Sequence, residues 1–128
     1  MNQNSRLEKL RRRLEEKSID ALLVSQPENR QYLSGFDGSA GYLLITQQKA
    51  VLATDFRYLE QVKQQSPDYD LFRITGADGS KWFLELTGSL KVSKLGFEAE
   101  DITFSTYRRL TEAINKKVGE FLAERKNK

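Results

Sequence analysis

The sequence predicts an α/β domain: a mixed β-sheet with helices on both faces. Three observations carry that expectation. Helical and strand periodicities interleave along most of the chain. Two strand-like segments are separated only by Gln47-Gln48, which implies an antiparallel hairpin. Ala21-Leu22-Leu23-Val24 has no polar alternation, the pattern of a central strand covered on both sides.

The elements follow in order. Ser5-x-x-Glu8 is a capping-box pattern, and Leu7, Leu10 and Leu14 recur at helical spacing, so a helix is expected from about Arg6 to Lys17. Ile19 to Ser25 reads as a strand that Pro27 ends, and Asn29 to Leu33 as one or two helical turns. Ser34 to Gly41 holds three glycines, which implies positive φ angles or close backbone approach. Tyr42–Thr46 and Lys49–Thr54 form the hairpin. Asp55 is placed to cap a helix carrying Tyr58, Leu59 and Val62, which Ser66-Pro67-Asp68 breaks. Tyr69 to Ile74 is a strand, and Gly76 to Gly79 a turn. Ser80 or Asp78 starts a helix carrying Trp82, Phe83 and Leu86, whose aromatics read as core. Lys94 to Phe97 is a short strand, and Thr103 caps a last helix carrying Tyr107, Leu110 and Ile114. No linker rich in Gly, Ser or Pro divides the chain, so residues 1–128 read as one domain.

Composition excludes much chemistry. The 128 residues contain no histidine and no cysteine. That removes Ser-His-Asp triads, Cys-His pairs, disulfides and every metal site that uses imidazole or thiolate. The missing apolar leader after Met1 and the absent cysteines favour a cytoplasmic setting. No apolar run is long enough to cross a bilayer, so no membrane partner is expected. The net charge is +3, and the basic excess sits on the two ends while the middle of the chain is net acidic at −3. Residues 5–17 carry six Lys/Arg against three Glu, and residues 116–128 carry five against two. Because Glu8, Glu15 and Glu16 interleave with Arg11-Arg12-Arg13, that run reads as a solvated helix face, and no nucleic-acid partner is expected. Asp20, Asp55, Glu98 and Asp101 could form a magnesium site only if the fold brought them together, and nothing in the sequence shows that it does.

One stretch is specific. Pro27-Glu28-Asn29-Arg30-Gln31-Tyr32-Leu33-Ser34-Gly35-Phe36-Asp37-Gly38-Ser39-Ala40-Gly41 closely resembles the Asn-Arg-x-Tyr-Leu-(Ser/Thr)-Gly-Phe segment of the creatinase/prolidase N-terminal domain. Ser18 to Val24 looks like that family's first strand, Thr54-Asp55-Phe56-Arg57-Tyr58 like its Thr-Asp-x-Arg-Tyr box, and Leu95-Gly96-Phe97-Glu98 like its Leu-Gly-Phe-Glu strand. The boxes stand in the family's order and span most of the chain.

The resemblance implies a ribonuclease-H-like topology and a non-catalytic role in a Xaa-Pro aminopeptidase or dipeptidase. Chemistry would reside in a C-terminal pita-bread metallopeptidase domain absent from this chain, where two Asp, one His and two Glu hold a pair of divalent metal ions. No catalytic residue, metal ligand or cofactor is therefore expected here. The implied partners are that catalytic domain, a second subunit in a homodimer, and a proline-containing peptide. The implied substrate-access loop is Phe36, Asp37, Gly38 and Ser39, with Asp37 facing a substrate ammonium group. Asn29, Arg30, Tyr32, Gly35, Asp55, Arg57 and Tyr58 are read as structural, with Asp55 and Arg57 forming a cap and an ion pair rather than a catalytic pair. The competing reading is a free-standing creatinase-like module that binds a ligand or partner of its own.

Overall fold

Leucines at positions 7, 10 and 14 put an apolar stripe on one side of the first helix, and Leu7 and Leu14 are buried there. In the computed structural model this helix, α1, runs Gln3–Glu16. The structure describes residues 3–75, 81–98, 100–103 and 105–110. Ser5 thus lies within α1, not ahead of it, and the expected capping box does not mark its start. No Pro or Gly precedes Ser5 to stop the helical backbone from extending to Gln3. The chain leaves α1 through Ser18 at φ 56°, while the Ile19 N–H donates to the Leu14 carbonyl.

Strand β1 (Ala21–Val24) is followed by α2 (Pro27–Ser34). Pro27 does more than end the strand. It occupies the first turn of α2, where its missing N–H costs nothing. Strands β2 (Tyr42–Thr46) and β3 (Ala50–Thr54) form the expected hairpin. Its turn lacks Asn-Gly chemistry. Instead Thr46 Oγ1 accepts the N–H groups of Gln48 and Lys49, and the Arg11 guanidinium donates to the carbonyls of Thr46 and Lys49.

After β3 a 3-10 turn (Phe56–Tyr58) leads into α3 (Leu59–Gln65). Strand β4 (Asp70–Arg73), α4 (Lys81–Ser89) and β5 (Leu95–Phe97) follow, and residues 105–110 are helical. Thr103 Oγ1 accepts the N–H of Thr106, the cap expected of it. The expected turn at Gly76–Gly79, the Asp78 or Ser80 cap, and Ile114 lie outside the described residues.

The sheet has the order β4-β3-β2-β1-β5. β2 pairs antiparallel with β1 and β3, while β3–β4 and β1–β5 are parallel. Only β2 runs against the rest, the single reversed strand that a ribonuclease-H-like topology requires. β1 lies between two partners, as its unbroken apolar run implies.

Side-chain alternation then builds two cores. Val24, Leu43, Ile45 and Leu52 point to one face, where they meet Leu7, Leu33, Phe36, Val62 and Tyr69 from the helices and the glycine loop. Ala21, Leu23, Leu44, Val51 and Ala53 point to the other and meet Trp82, Phe83, Leu86 and Leu110. Trp82 stacks on Tyr42 with ring centroids 5.1 Å apart, and Trp82 and Phe83 are both buried, so these two aromatics are core, as the sequence reading has them.

Candidate functional site

The reversed direction of β2 has a direct consequence. The C-terminal ends of β1, β3, β4 and β5 share one end of the sheet with the N-terminal end of β2. The start of α2, the loop from Gly35 to Gly41, the Asp55–Tyr58 turn and Glu98 all lie at this end. Boxes spread over some seventy residues of sequence become neighbours.

The loop begins at Gly35, which closes α2 in the left-handed conformation at φ 82° and donates its N–H to the Gln31 carbonyl. A side chain there would be strained. Gly38 is required for a different reason: a Cβ would lie 2.2 Å from Phe36 Cζ. Phe36 itself is fully buried, edge-on to Tyr58. Of the four access-loop residues, Phe36 and Gly38 therefore face inward, while Asp37 and Ser39 are exposed.

Arg30 holds this loop from beneath. It is 3% exposed, and its guanidinium donates to the carbonyls of Gly38 and Gly41, each at 2.7 Å. Among the described residues it has no ion pair, and burial pulls its pKa down, opposed by the charges of Asp101 and Glu98. Other buried groups complete the cradle. Ser34 Oγ donates to the Arg30 carbonyl and accepts the Phe36 N–H. Ser66 Oγ donates to the Ser34 carbonyl, Tyr69 Oη to the Leu33 carbonyl, and Thr54 Oγ1 to the Ala40 carbonyl. Burial pushes the Tyr69 phenol well above its ordinary value, so it acts as a neutral donor. Tyr58 Oη and Ser39 Oγ are hydrogen-bonded to each other.

Glu98 locks the far side. One of its oxygens accepts the N–H groups of Ser25 and Gln26, and the other accepts Asn29 Nδ2. A carboxylate here also suits the partial positive charge at the start of α2. Asp55 accepts the Arg57 backbone N–H and takes its guanidinium in a two-point ion pair, at 2.9 and 2.8 Å. That pairing lowers the pKa of Asp55 and raises that of Arg57. Both are surface-facing and committed to each other, the cap-plus-ion-pair geometry. Tyr32 is half-exposed beneath the Arg6 guanidinium, 4.1 Å from its ring centroid.

A cleft of about 410 Å³ opens beside the loop, lined by Ser25, Arg30, Ser39, Gly41, Tyr42 and Asp101 among others. The carboxylates considered as a magnesium site do not converge. Asp20 precedes β1 at the opposite end and accepts the N–H groups of Ser93 and Lys94. Among the described residues no group of three or more His, Cys, Asp or Glu could hold a metal ion. Sequence reasoning missed Gln61 and Gln65, which bond Asp37 from α3, and the anchoring roles of Ser66 and Tyr69. The i,i+4 spacing of the two glutamines was the available signal.

Comparison with known proteins agrees with this architecture. Residues 6–123 match the creatinase/prolidase N-terminal domain. A probable Xaa-Pro aminopeptidase P from Pyrenophora teres f. teres is 34% identical over 92% of this chain and 20% of its own length. A Xaa-Pro dipeptidase from Bacillus anthracis superimposes with a TM-score of 0.82 at 34% identity, covering 88% of this chain and 31% of that one. The N-terminal domain of the cytoplasmic peptidase PepQ from Mycobacterium tuberculosis gives a TM-score of 0.78 at 35% identity, covering 87% and 85%. The chain spans less than a third of the length of the curated relatives it matches. On the family match and the shared fold, this chain belongs to the creatinase/prolidase N-terminal domain family.

Proposed function

We propose that this chain is the non-catalytic N-terminal domain of a cytoplasmic, metal-dependent Xaa-Pro peptidase, where it contributes to dimer assembly and to substrate access and size selection. The observation that carries the reading is the glycine loop. It is fixed by buried donors, yet it presents Asp37 and Ser39 outward at the end of the sheet where the family's boxes converge. Such a rigid rim suits a gate that admits short peptides and meets their free amino end with a carboxylate. The small share of each relative that the chain covers supports a catalytic domain elsewhere in the complete protein. The absence of histidine and cysteine leaves this chain without the usual bases, nucleophiles and transition-metal ligands, so the two divalent ions would belong to that other domain.

The test uses the complete peptidase carrying this domain, assayed on short Xaa-Pro peptides. Asp37→Ala should raise KM about fivefold, the scale of an exposed ion pair, with kcat within about twofold. An unchanged KM would remove Asp37 from substrate selection. Absence of any Xaa-Pro activity in the native protein would end the peptidase reading.

A further inference from the structure

Asp37 and Asp55 are both aspartates at the same end of the sheet, but they are held differently. Asp55 is neutralised by Arg57. Asp37 meets no Lys or Arg among the described residues. Its Oδ1 instead accepts two neutral amides, Gln61 Nε2 at 2.7 Å and Gln65 Nε2 at 2.9 Å. Gln65 also returns its Oε1 to the Asp37 backbone N–H at 3.2 Å, and Gln61 Nε2 donates to that same Oε1 at 3.2 Å. Gln65 thus grips both the main chain and the side chain of one residue. Neutral donors orient a carboxylate without cancelling its charge. Both donors fall on Oδ1, so Oδ2 stays outside the clamp. Ordering an exposed side chain costs conformational entropy, and here no ion pair offsets it.

We propose that Gln61 and Gln65 are positioning residues that hold the Asp37 carboxylate in one rotamer, charged and ready to receive the primary ammonium group of a peptide. The inference rests on the access-loop reading above and extends it to α3. Its specificity consequence is discrimination between a free and a blocked amino terminus. A cation recognised by a pre-oriented carboxylate gains affinity because the ordering is complete before binding.

Two measurements test it. In this chain, Hα–Hβ couplings should report a single Asp37 χ1 rotamer, and averaging across rotamers in Gln61→Met/Gln65→Met. The methionines keep side-chain length and remove the amides. Rotamer averaging in the unsubstituted chain would overturn the clamp without touching the peptidase reading.

In the complete peptidase, the double methionine variant should raise KM for free-amino Xaa-Pro peptides about fivefold, with kcat within about twofold. The ratio of KM values for N-acetylated and free peptides should fall by the same factor. Adding Asp37→Ala to it should change KM no further. If Asp37→Ala raises KM and the glutamine variant does not, the positioning role is wrong and the access loop stands. If neither moves KM, both fall. An unchanged thermal midpoint in the glutamine variant would confirm that the effect is local.

Discussion

The two ends of the sheet are both tied by polar side chains, but they are built on different principles. At the hairpin end, Asp20 holds the N–H groups of Ser93 and Lys94, and Arg11 holds the Thr46–Lys49 turn. These side chains lie at or near the surface, so water can replace a lost partner. At the loop end exposed ties such as Asp55–Arg57 are joined by a buried set, Arg30, Ser34, Thr54 and Ser66, beneath the glycine loop. There a lost partner leaves a buried carbonyl such as that of Gly38 or Ser34 without a donor, and its desolvation cost is felt. Burial rather than bond count therefore makes one end a rigid platform and the other an ordinary edge.

The sharpest way to break this contrast is Arg30→Leu. It should strip the Gly38 and Gly41 carbonyls of their donor and cost about 3 kcal/mol or more, read as a lowered urea midpoint. A loss under about 1 kcal/mol would mean that water enters the loop end as freely as the hairpin end.

Gly38→Ala comes next. The added methyl collides with the Phe36 ring, and repacking that fully buried ring should cost about 1–3 kcal/mol. Thermal denaturation would show it, and a wild-type midpoint would mean that the loop yields.

Asp20→Asn should have the smallest effect, and it should depend on pH. The hydroxyl and N–H of Ser93 and the N–H of Lys94 hold the Asp20 pKa below its ordinary 3.8. A depressed folded-state pKa contributes stability above the unfolded value, and that contribution is lost as pH falls through the folded value. Asparagine resembles the protonated form. The gap between wild type and Asp20→Asn should thus be present at pH 7 and close as pH drops below about 4. A gap that stays constant down to acid pH would show that Asp20 acts through shape rather than charge.

Much of the platform is legible in the sequence. The Asn-Arg-x-Tyr-Leu-Ser-Gly-Phe stretch announced a family, and Asp55 with Arg57 was readable as cap and ion pair because both partners lie two residues apart. What was hidden had long-range causes. Phe36 is named in an exposed-loop hypothesis, but its ring turns into the core because Gly38 leaves room above it. Ser5 carries a capping pattern that the helix overruns, since a local hydrogen-bond preference competes weakly with continued helix. Gln61 and Gln65 meet Asp37 only because α3 packs beside the loop, a long-range contact.

The sequence by itself determined the alternation of elements, the two-faced apolar patterning of β1 to β3 and the lack of imidazole and thiol chemistry. Each of these depends only on residue type and local spacing. Tertiary structure alone decided which polar groups meet. Glu98 reaches Ser25 across 73 residues of chain, and Gln65 reaches Asp37 across 28. Those encounters follow from strand order and from the reversal of β2, which gathers distant segments at one end of the sheet. A polar side chain can bond many partners in solution, and the packed backbone selects the few it keeps.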